Sequence, residues 1–147
     1  MESLEIRRFE LSDIKVVYEL LNELYSGKIK FDIFERIYKD KLENRFSYNI
    51  VAILNGKIIG LLISEISVKM HRSKKCSFID DIIVDKDYRG NGVGKLLLES
   101  AVNYSIEQDC EVIELTSYLS NEDAHRFYEN NGFKKHSYKF KKYLNTY

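Results

Sequence analysis

Ile79-Asp80-Asp81-Ile82-Ile83-Val84-Asp85-Lys86-Asp87-Tyr88-Arg89-Gly90-Asn91-Gly92-Val93-Gly94 is the stretch on which the fold turns. Its first six residues are an apolar run broken by two adjacent carboxylates, and they read as a buried strand. A polar turn follows over residues 85–88. Glycines at 90, 92 and 94 make a loop, and Leu96, Leu97, Ala101, Val102 and Ile106 then recur at helical spacing. A strand feeding a glycine loop that opens a helix gathers backbone N–H groups and the positive end of a helix dipole at one point. Glycine permits left-handed torsions and a close backbone approach to a phosphate. The physical reading is a pyrophosphate cradle.

Two nucleotide motifs fail at this loop. Walker A needs Gly-x-x-x-x-Gly-Lys-Ser/Thr, but Arg89 stands in place of the first glycine and Leu96 follows Lys95. The dinucleotide fingerprint Gly-x-Gly-x-x-Gly fails on spacing, and the loop lies past mid-chain rather than in a first βαβ unit.

Outward from the loop, the pattern predicts an alternation of elements. A short β segment over residues 4–9 precedes a helix with Ser12 as N-cap and Ile14, Val17, Leu20, Leu21 and Leu24 on one face. Phe31, Phe34, Ile37, Tyr38 and Leu42 mark a second helix. Strands over 48–54 and 58–68 flank Asn55–Gly56, a strong hairpin signal. Beyond the glycine-loop helix come a strand over 111–116, a helix over 121–130 stopped by Gly132, and an alternating aromatic–lysine stretch over 133–144 that suits an edge strand. The order is βααβββαβαβ, an α/β pattern without repeats or linkers, which predicts one domain over residues 1–147.

A chain of 147 residues with 44% hydrophobic and 13% aromatic content is long enough to bury roughly two-thirds of its unfolded surface. Basic and acidic residues balance at 23 each, which excludes a globally basic nucleic-acid binder or a polybasic membrane protein. The balance is uneven along the chain. Residues 80–130 hold 12 acids against 4 bases, whereas residues 133–147 hold 5 lysines and no acid. No apolar run approaches the ~18 residues of a membrane span. Two cysteines and no signal-like start predict a reduced cytoplasmic protein. Neither Cys76 nor Cys110 has a close histidine in sequence, so neither reads as a nucleophile. His71, His125 and His136 lack metal-ligand spacing, so no metal is expected.

Arg89-Gly90-Asn91-Gly92-Val93-Gly94 matches the Arg-x-x-Gly-x-Gly pattern in full, and in this the chain resembles the GNAT superfamily of N-acetyltransferases. Residues 79–84 look like that family's central strand. Asn121-Glu122-Asp123-Ala124-His125-Arg126-Phe127-Tyr128-Glu129-Asn130-Asn131-Gly132-Phe133 is similar to its Asn-x-x-Ala-x-x-Phe-Tyr-x-x-x-Gly-Phe signature. One departure is Lys86, where many relatives carry proline. The resemblance implies a GNAT-like fold: a mixed, mostly antiparallel central sheet, with central parallel strands splayed where acetyl-CoA wedges in and helices on both faces.

The resemblance also implies roles. Residues Arg89, Gly90, Asn91, Gly92, Val93, Gly94 and Lys95 would hold the pyrophosphate of acetyl-CoA. The backbone of Ile82, Ile83 and Val84 would pair with pantetheine and polarise the thioester oxygen. Asn121 would hydrogen-bond pantetheine, against the plainer reading of a helix N-cap. Tyr128 matches the general acid toward the CoA sulfur, against a core aromatic beside Phe127. An alkylammonium acceptor must lose a proton. Asp80 sits where polyamine and amino-sugar acetyltransferases often carry an activating glutamate, and Asp81 is an acceptor contact. Adjacent carboxylates repel, which raises the pKa of the pair. Against these roles, either acid could be a solvated strand-end residue.

The expected function is therefore direct acetyl transfer, in a ternary complex, to a small cationic amine such as a polyamine, amino sugar or aminoglycoside. The helices beginning near Ile14 and Phe31 would wall the acceptor pocket. Alternatives are a peptide or protein amine, or a regulatory module that binds acetyl-CoA without turnover. No nucleic-acid or membrane partner is expected, and the aromatic-rich final strand offers a surface for pairing in a homodimer.

Overall fold

Asn55 and Gly56 both take positive φ, 50° and 78°, the conformation whose twist suits a two-residue hairpin turn. They join strands β2 (Ser47–Leu54) and β3 (Lys57–Val68). These pair antiparallel with each other, β2 with β1 (Leu4–Arg8), and β3 with β4 (Lys75–Val84). Strand β5 (Cys110–Leu115) then joins β4 in parallel, giving a mixed sheet in the order β1-β2-β3-β4-β5. Helices α1 (Ile14–Leu24) and α2 (Phe31–Glu43) lie between β1 and β2 in sequence, α3 (Val93–Glu107) between β4 and β5, and α4 (Glu122–Asn130) after β5. The structure is a computed structural model, and it describes residues 3–145. It forms two compact units, one ending at Leu115 and one beginning at Thr116.

Alternation along β3 shows which helices cover which face of the first unit. Leu61 packs with Val17 and Leu21 of α1, Tyr38 of α2, Val51 and Ile83 in a buried cluster. Its neighbour Gly60 points the other way: a Cβ there would lie 3.0 Å from the Ile83 carbonyl and 3.2 Å from Leu97 Cδ1 of α3. Only glycine lets α3 approach this closely. Each fully buried aliphatic side chain here contributes about 1.5–3 kcal/mol. The sheet is thus covered on both faces, as the sequence predicts.

Two expectations need correction. The first is the N-cap of the first helix. A short 3-10 turn, Leu11–Asp13, precedes α1, and the buried group is Asp13 rather than Ser12. Arg7 Nη1 and Nη2 donate to Asp13 at 2.8 and 3.0 Å, and the Glu10 amide donates to it at 2.8 Å. A carboxylate can take all three donors at once where a hydroxyl cannot. The second is the final strand. Among the described residues no strand forms beyond Phe133, and residues 134–145 are exposed throughout. Apolar–polar alternation marks a segment able to pair, but a strand exists only where a second backbone completes its ladder.

Candidate active site

The β3–β4 ladder changes register at one place. Ile63 lies opposite Asp81 and Ser64 opposite Ile79, so Asp80 is the extra residue of a β-bulge. Cross-strand partners share a face. Asp81 therefore lies with Ile63 on the α1 and α2 side, while Ile79 lies on the α3 side. Without the extra residue, 79 and 81 would share a face. The bulge aims Asp81 at the end of α1 and leaves Asp80 exposed.

The β4–β5 ladder stops at the same point. Its last pair is Ile79 with Leu115, so residues 80–84 run on past the end of β5. On that side their backbone carries no ladder among the described residues. Ile82, Ile83 and Val84 lie beyond this last pair.

The strand then enters the glycine loop. Asp85 Oδ1 accepts from the Asp87 amide at 3.0 Å, a local turn that supplies the stiffness a proline at Lys86 would have given. Gly90 and Gly92 take φ of 78° and 82°, and a Cβ on either would meet nothing within 4 Å. The loop backbone is therefore open to solvent at both glycines. Helix α3 begins at Val93, and its first N–H groups have no intrahelical acceptor. Arg89 Nε donates to the Val84 carbonyl at 3.0 Å, which fastens the arginine to the strand end. Asn91 Nδ2 donates to the Tyr88 carbonyl at 3.2 Å. Lys95 lies in the first turn of α3, 3.8 Å from Glu99. A backbone edge followed by this loop fits a ligand with an amide arm and a pyrophosphate.

Tyr25, the residue that closes α1, is a site residue the sequence analysis did not single out. Its hydroxyl donates to Asp81 Oδ1. Burial raises the Asp81 carboxyl above its ordinary range; Asp80 adds to the rise, and the Tyr25 hydrogen bond opposes it. Burial and a like charge both disfavour ionisation, which moves a carboxylate toward the basicity a proton acceptor needs. In the sequence Tyr25 is marked only as an aromatic residue just before Ser26–Gly27, a pair that stops a helix. Beside it, a cavity of about 230 Å³ is lined by Leu20, Glu23 and Leu24 of α1 and by Ile83, Val84, Asp85, Lys86 and Arg89. A larger groove of about 390 Å³ lies around Ile33 and Ile37 of α2 and takes no side chain from β4 or the glycine loop.

The second unit holds the other two candidates. Asn121 Oδ1 accepts from the Ala124 amide at 3.2 Å, so Asn121 is the N-cap of α4. Tyr128 is half-buried between aromatic neighbours, its ring 5.3 Å from Phe127 and 5.9 Å from Phe133. His125 Nε2 lies 2.9 Å from the Tyr118 carbonyl, and since a carbonyl only accepts, Nε2 carries the proton. Cys76 is buried, and burial pushes the Cys110 thiol up, away from thiolate chemistry. Among the described residues no helix is long and apolar enough to cross a membrane.

A family model described as the acetyltransferase (GNAT) family matches residues 14–133, through both units. The chain is similar to the aminoalkylphosphonate N-acetyltransferase of Salmonella typhimurium, with 26% identity covering 95% of this chain and 91% of that one. It is also similar to N-alpha-acetyltransferase 60 of Xenopus tropicalis, with 32% identity over 82% of this chain, and spans 57% of that protein's length. The crystal structure of a transcriptional regulator from Bacillus halodurans C-125 superposes at a TM-score of 0.90, with 23% identity over 97% of this chain and 100% of that one. That last likeness shows a shared fold.

Proposed function

Because this chain belongs to the GNAT acetyltransferase family, a family of acyltransferases that use acetyl-CoA, we propose that it acetylates the primary amine of a small cationic metabolite by direct attack in a ternary complex. The observation that carries the reading is the end of β4. Past Ile79 the strand runs on beyond its last ladder pair with β5 and straight into a glycine loop at a helix N-terminus. Residues 82–84 would hydrogen-bond the pantetheine arm and polarise the thioester oxygen. The loop amides of residues 90–95 would take the pyrophosphate, with Arg89 and Lys95 adding charge.

Asp81 is the proton acceptor in this reading. Its raised pKa and the Tyr25 hydrogen bond support it over Asp80. Asp80, exposed on the bulge, draws the cationic acceptor and relays through water. Asp81 removes a proton from the ammonium, and the freed amine forms an N–C bond at the acetyl carbonyl. As the C–S bond breaks, Tyr128 gives its phenolic proton to the departing thiolate, and the newly acylated nitrogen gives up its second proton, which returns through water to the phenolate. Asp81 releases its proton to solvent, leaving an acetamide and the CoA thiol. Asn121 would support the pantetheine through its amide nitrogen, its Oδ1 being committed to the cap. The adjacent carboxylates Asp80 and Asp81 favour a cationic acceptor, whereas the charges on the wall of the cavity of about 230 Å³, Glu23 and Asp85 against Lys86 and Arg89, balance. Two free thiols fit a reducing compartment such as the cytoplasm.

The two named relatives differ in acceptor, one named for aminoalkylphosphonates and one for N-alpha amines. A thiol-release assay therefore runs polyamines, aminoglycosides, hexosamines, aminoalkylphosphonates and peptides with free N-termini side by side. Turnover on a small cationic amine is expected. Turnover on peptides alone would move the acceptor class. Saturable CoA binding with no turnover on any amine would replace the enzyme reading with a binding module.

A further inference from the structure

Tyr25 bonds to Asp81 from outside its helix: it is the first residue past α1, which ends at Leu24. Helix ends leave their last carbonyls without intrahelical donors, and they fray. The turn after α1 takes up these carbonyls. The Tyr25 amide donates to the Leu21 carbonyl at 3.0 Å, the Gly27 amide to that of Asn22 at 2.7 Å, and the Lys28 amide to that of Tyr25 at 3.3 Å. Ser26 and Gly27 take φ of 58° and 74° to make this possible, and at Ser26 the left-handed torsion is strained. A turn that stores strain stays closed only where its far side is anchored.

The anchor is Ile29. Asn22 Oδ1 accepts from the Ile29 amide at 3.1 Å, and the Tyr18 hydroxyl donates to the Ile29 carbonyl at 2.9 Å. Both backbone groups of one half-buried residue are thus taken by two side chains one turn apart on α1. The Tyr18 ring is itself fixed by Phe31 and Phe34 of α2, with centroids 5.0 and 5.3 Å away. Tyr18, Asn22 and Tyr25 follow at intervals of four and three, so they form one stripe along α1. It runs beside the buried stripe of Val17 and Leu21. The first two residues of the polar stripe act on the turn, and the third acts on Asp81.

We propose that Asn22 and Tyr18 are positioning residues for the acceptor side of the site: by clamping Ile29 they close the turn over residues 25–29 and hold the Tyr25 hydroxyl on Asp81. The proposal rests on the reading of Asp81 as proton acceptor, and every contact in it lies within the unit ending at Leu115. Once the clamp is removed, Tyr25 leaves with the frayed end of α1 and its hydroxyl ceases to act on Asp81. The other groups that face Asp81 lie outside the clamp. Asp80 is its neighbour on β4, and the residue opposite on β3 is the apolar Ile63. The next acid on that face of β3, Glu65, pairs with Lys41 of α2 at 2.6 Å. On α1, Glu23 lies on the cavity wall with Asp85, Lys86 and Arg89.

The test is a pair of double-mutant cycles on the full chain, read by ¹³C titration of the Asp81 carboxyl, whose signal is assigned by its loss in Asp81→Asn. In the natural protein Tyr25→Phe should raise the Asp81 pKa. In Asn22→Ala, and separately in Tyr18→Phe, the same Tyr25→Phe change should lose about half or more of that effect, because the hydroxyl has already left. Both clamp variants should lower kcat/KM for the amine by about threefold or more, with acetyl-CoA binding unchanged in calorimetry. Tyr18→Phe keeps its ring against Phe31 and Phe34, so it decides the question where Asn22→Ala fails to fold. A Tyr25→Phe shift that persists in full in one variant removes that residue from the clamp. Persistence in both overturns the proposal, even where melting temperatures fall, since the two residues then serve stability alone. Absence of the shift in the natural protein overturns it too, by removing the contact that the clamp holds. If no amine is acetylated, the acetyl-transfer reading fails by itself and the titrations still decide the clamp.

Discussion

Tyr25 and Asp81 meet because one helix ends where one strand bulges. The hydroxyl that donates to Asp81 favours the carboxylate form, while burial and Asp80 favour the acid. Removing the donor with Tyr25→Phe should raise the Asp81 pKa further. The acidic limb of the kcat/KM profile for the amine should then move to higher pH, with the KM for acetyl-CoA unchanged. A ¹³C titration of the Asp81 carboxyl reads the same shift whether or not turnover is found, which separates this pairing from the catalytic reading itself. Asp81→Asn should lower kcat/KM by about 10²–10⁴-fold, the usual range for a lost proton acceptor. Asp13 shows the opposite balance. Burial works to raise its pKa, but the Arg7 fork and the Glu10 amide hold it below the ordinary carboxylate range. A depressed carboxylate contributes stability above its unfolded pKa and loses it as the pH falls through the folded one. Asp13→Asn should therefore cost about 1–3 kcal/mol at neutral pH in urea melts, and the gap to the natural protein should narrow as the pH falls into the acid range and the folded carboxylate is protonated.

At the scale of elements, the glycine loop is a backbone device. Gly92 sits at φ 82° as the residue before α3, and a Cβ there costs roughly 1–2 kcal/mol in torsion. Gly92→Ala should loosen acetyl-CoA binding by on the order of tenfold while sparing the KM of the amine, a split that calorimetry and initial rates can resolve. This loop and the strand before it were legible in the sequence because their signals are local: glycine spacing, an apolar run, a helical repeat. The bulge was not. Asp80 and Asp81 were visible as neighbours, but which of them faces α1 depends on where β3 skips a residue, and that register belongs to the partner strand. Tyr25 escaped for the same reason, since its role is defined by a strand 56 residues away. The Ser12 cap failed more narrowly. Asp13, the residue before α1, makes no side-chain bond to the helix; its carboxylate is taken by the Arg7 fork and the Glu10 amide, and Ser12 falls inside the 3-10 turn.

For the whole molecule, the sequence supplied the layer plan, five of the strands and all four main helices. Periodicity was strong in each, and the connections are short. It misplaced the last strand because alternation carries no address: residues 138–141 have the period of a strand, and the structure leaves them exposed. The zero net charge is likewise a sum of opposed regions, an acidic stretch that holds Asp80 and Asp81 and a lysine-rich end without any acid. Tyr128 and Asn121 were found through their motif, and Asn121 serves at least as a helix cap.

The strand order also carries a consequence for how the chain assembles. Strands β2, β3 and β4 are consecutive and antiparallel, so they can zip from their turns with little loop closure. β5 reaches β4 only in parallel, after α3 has formed and crossed over, and such non-local pairing comes late in folding. A one-sided six-residue strand also opens more easily than a central one. Native-state hydrogen exchange should therefore find β5 amides exchanging through cheaper openings than those of β2 and β3. The end of the sheet proposed to receive the ligand is then also the last to close during folding.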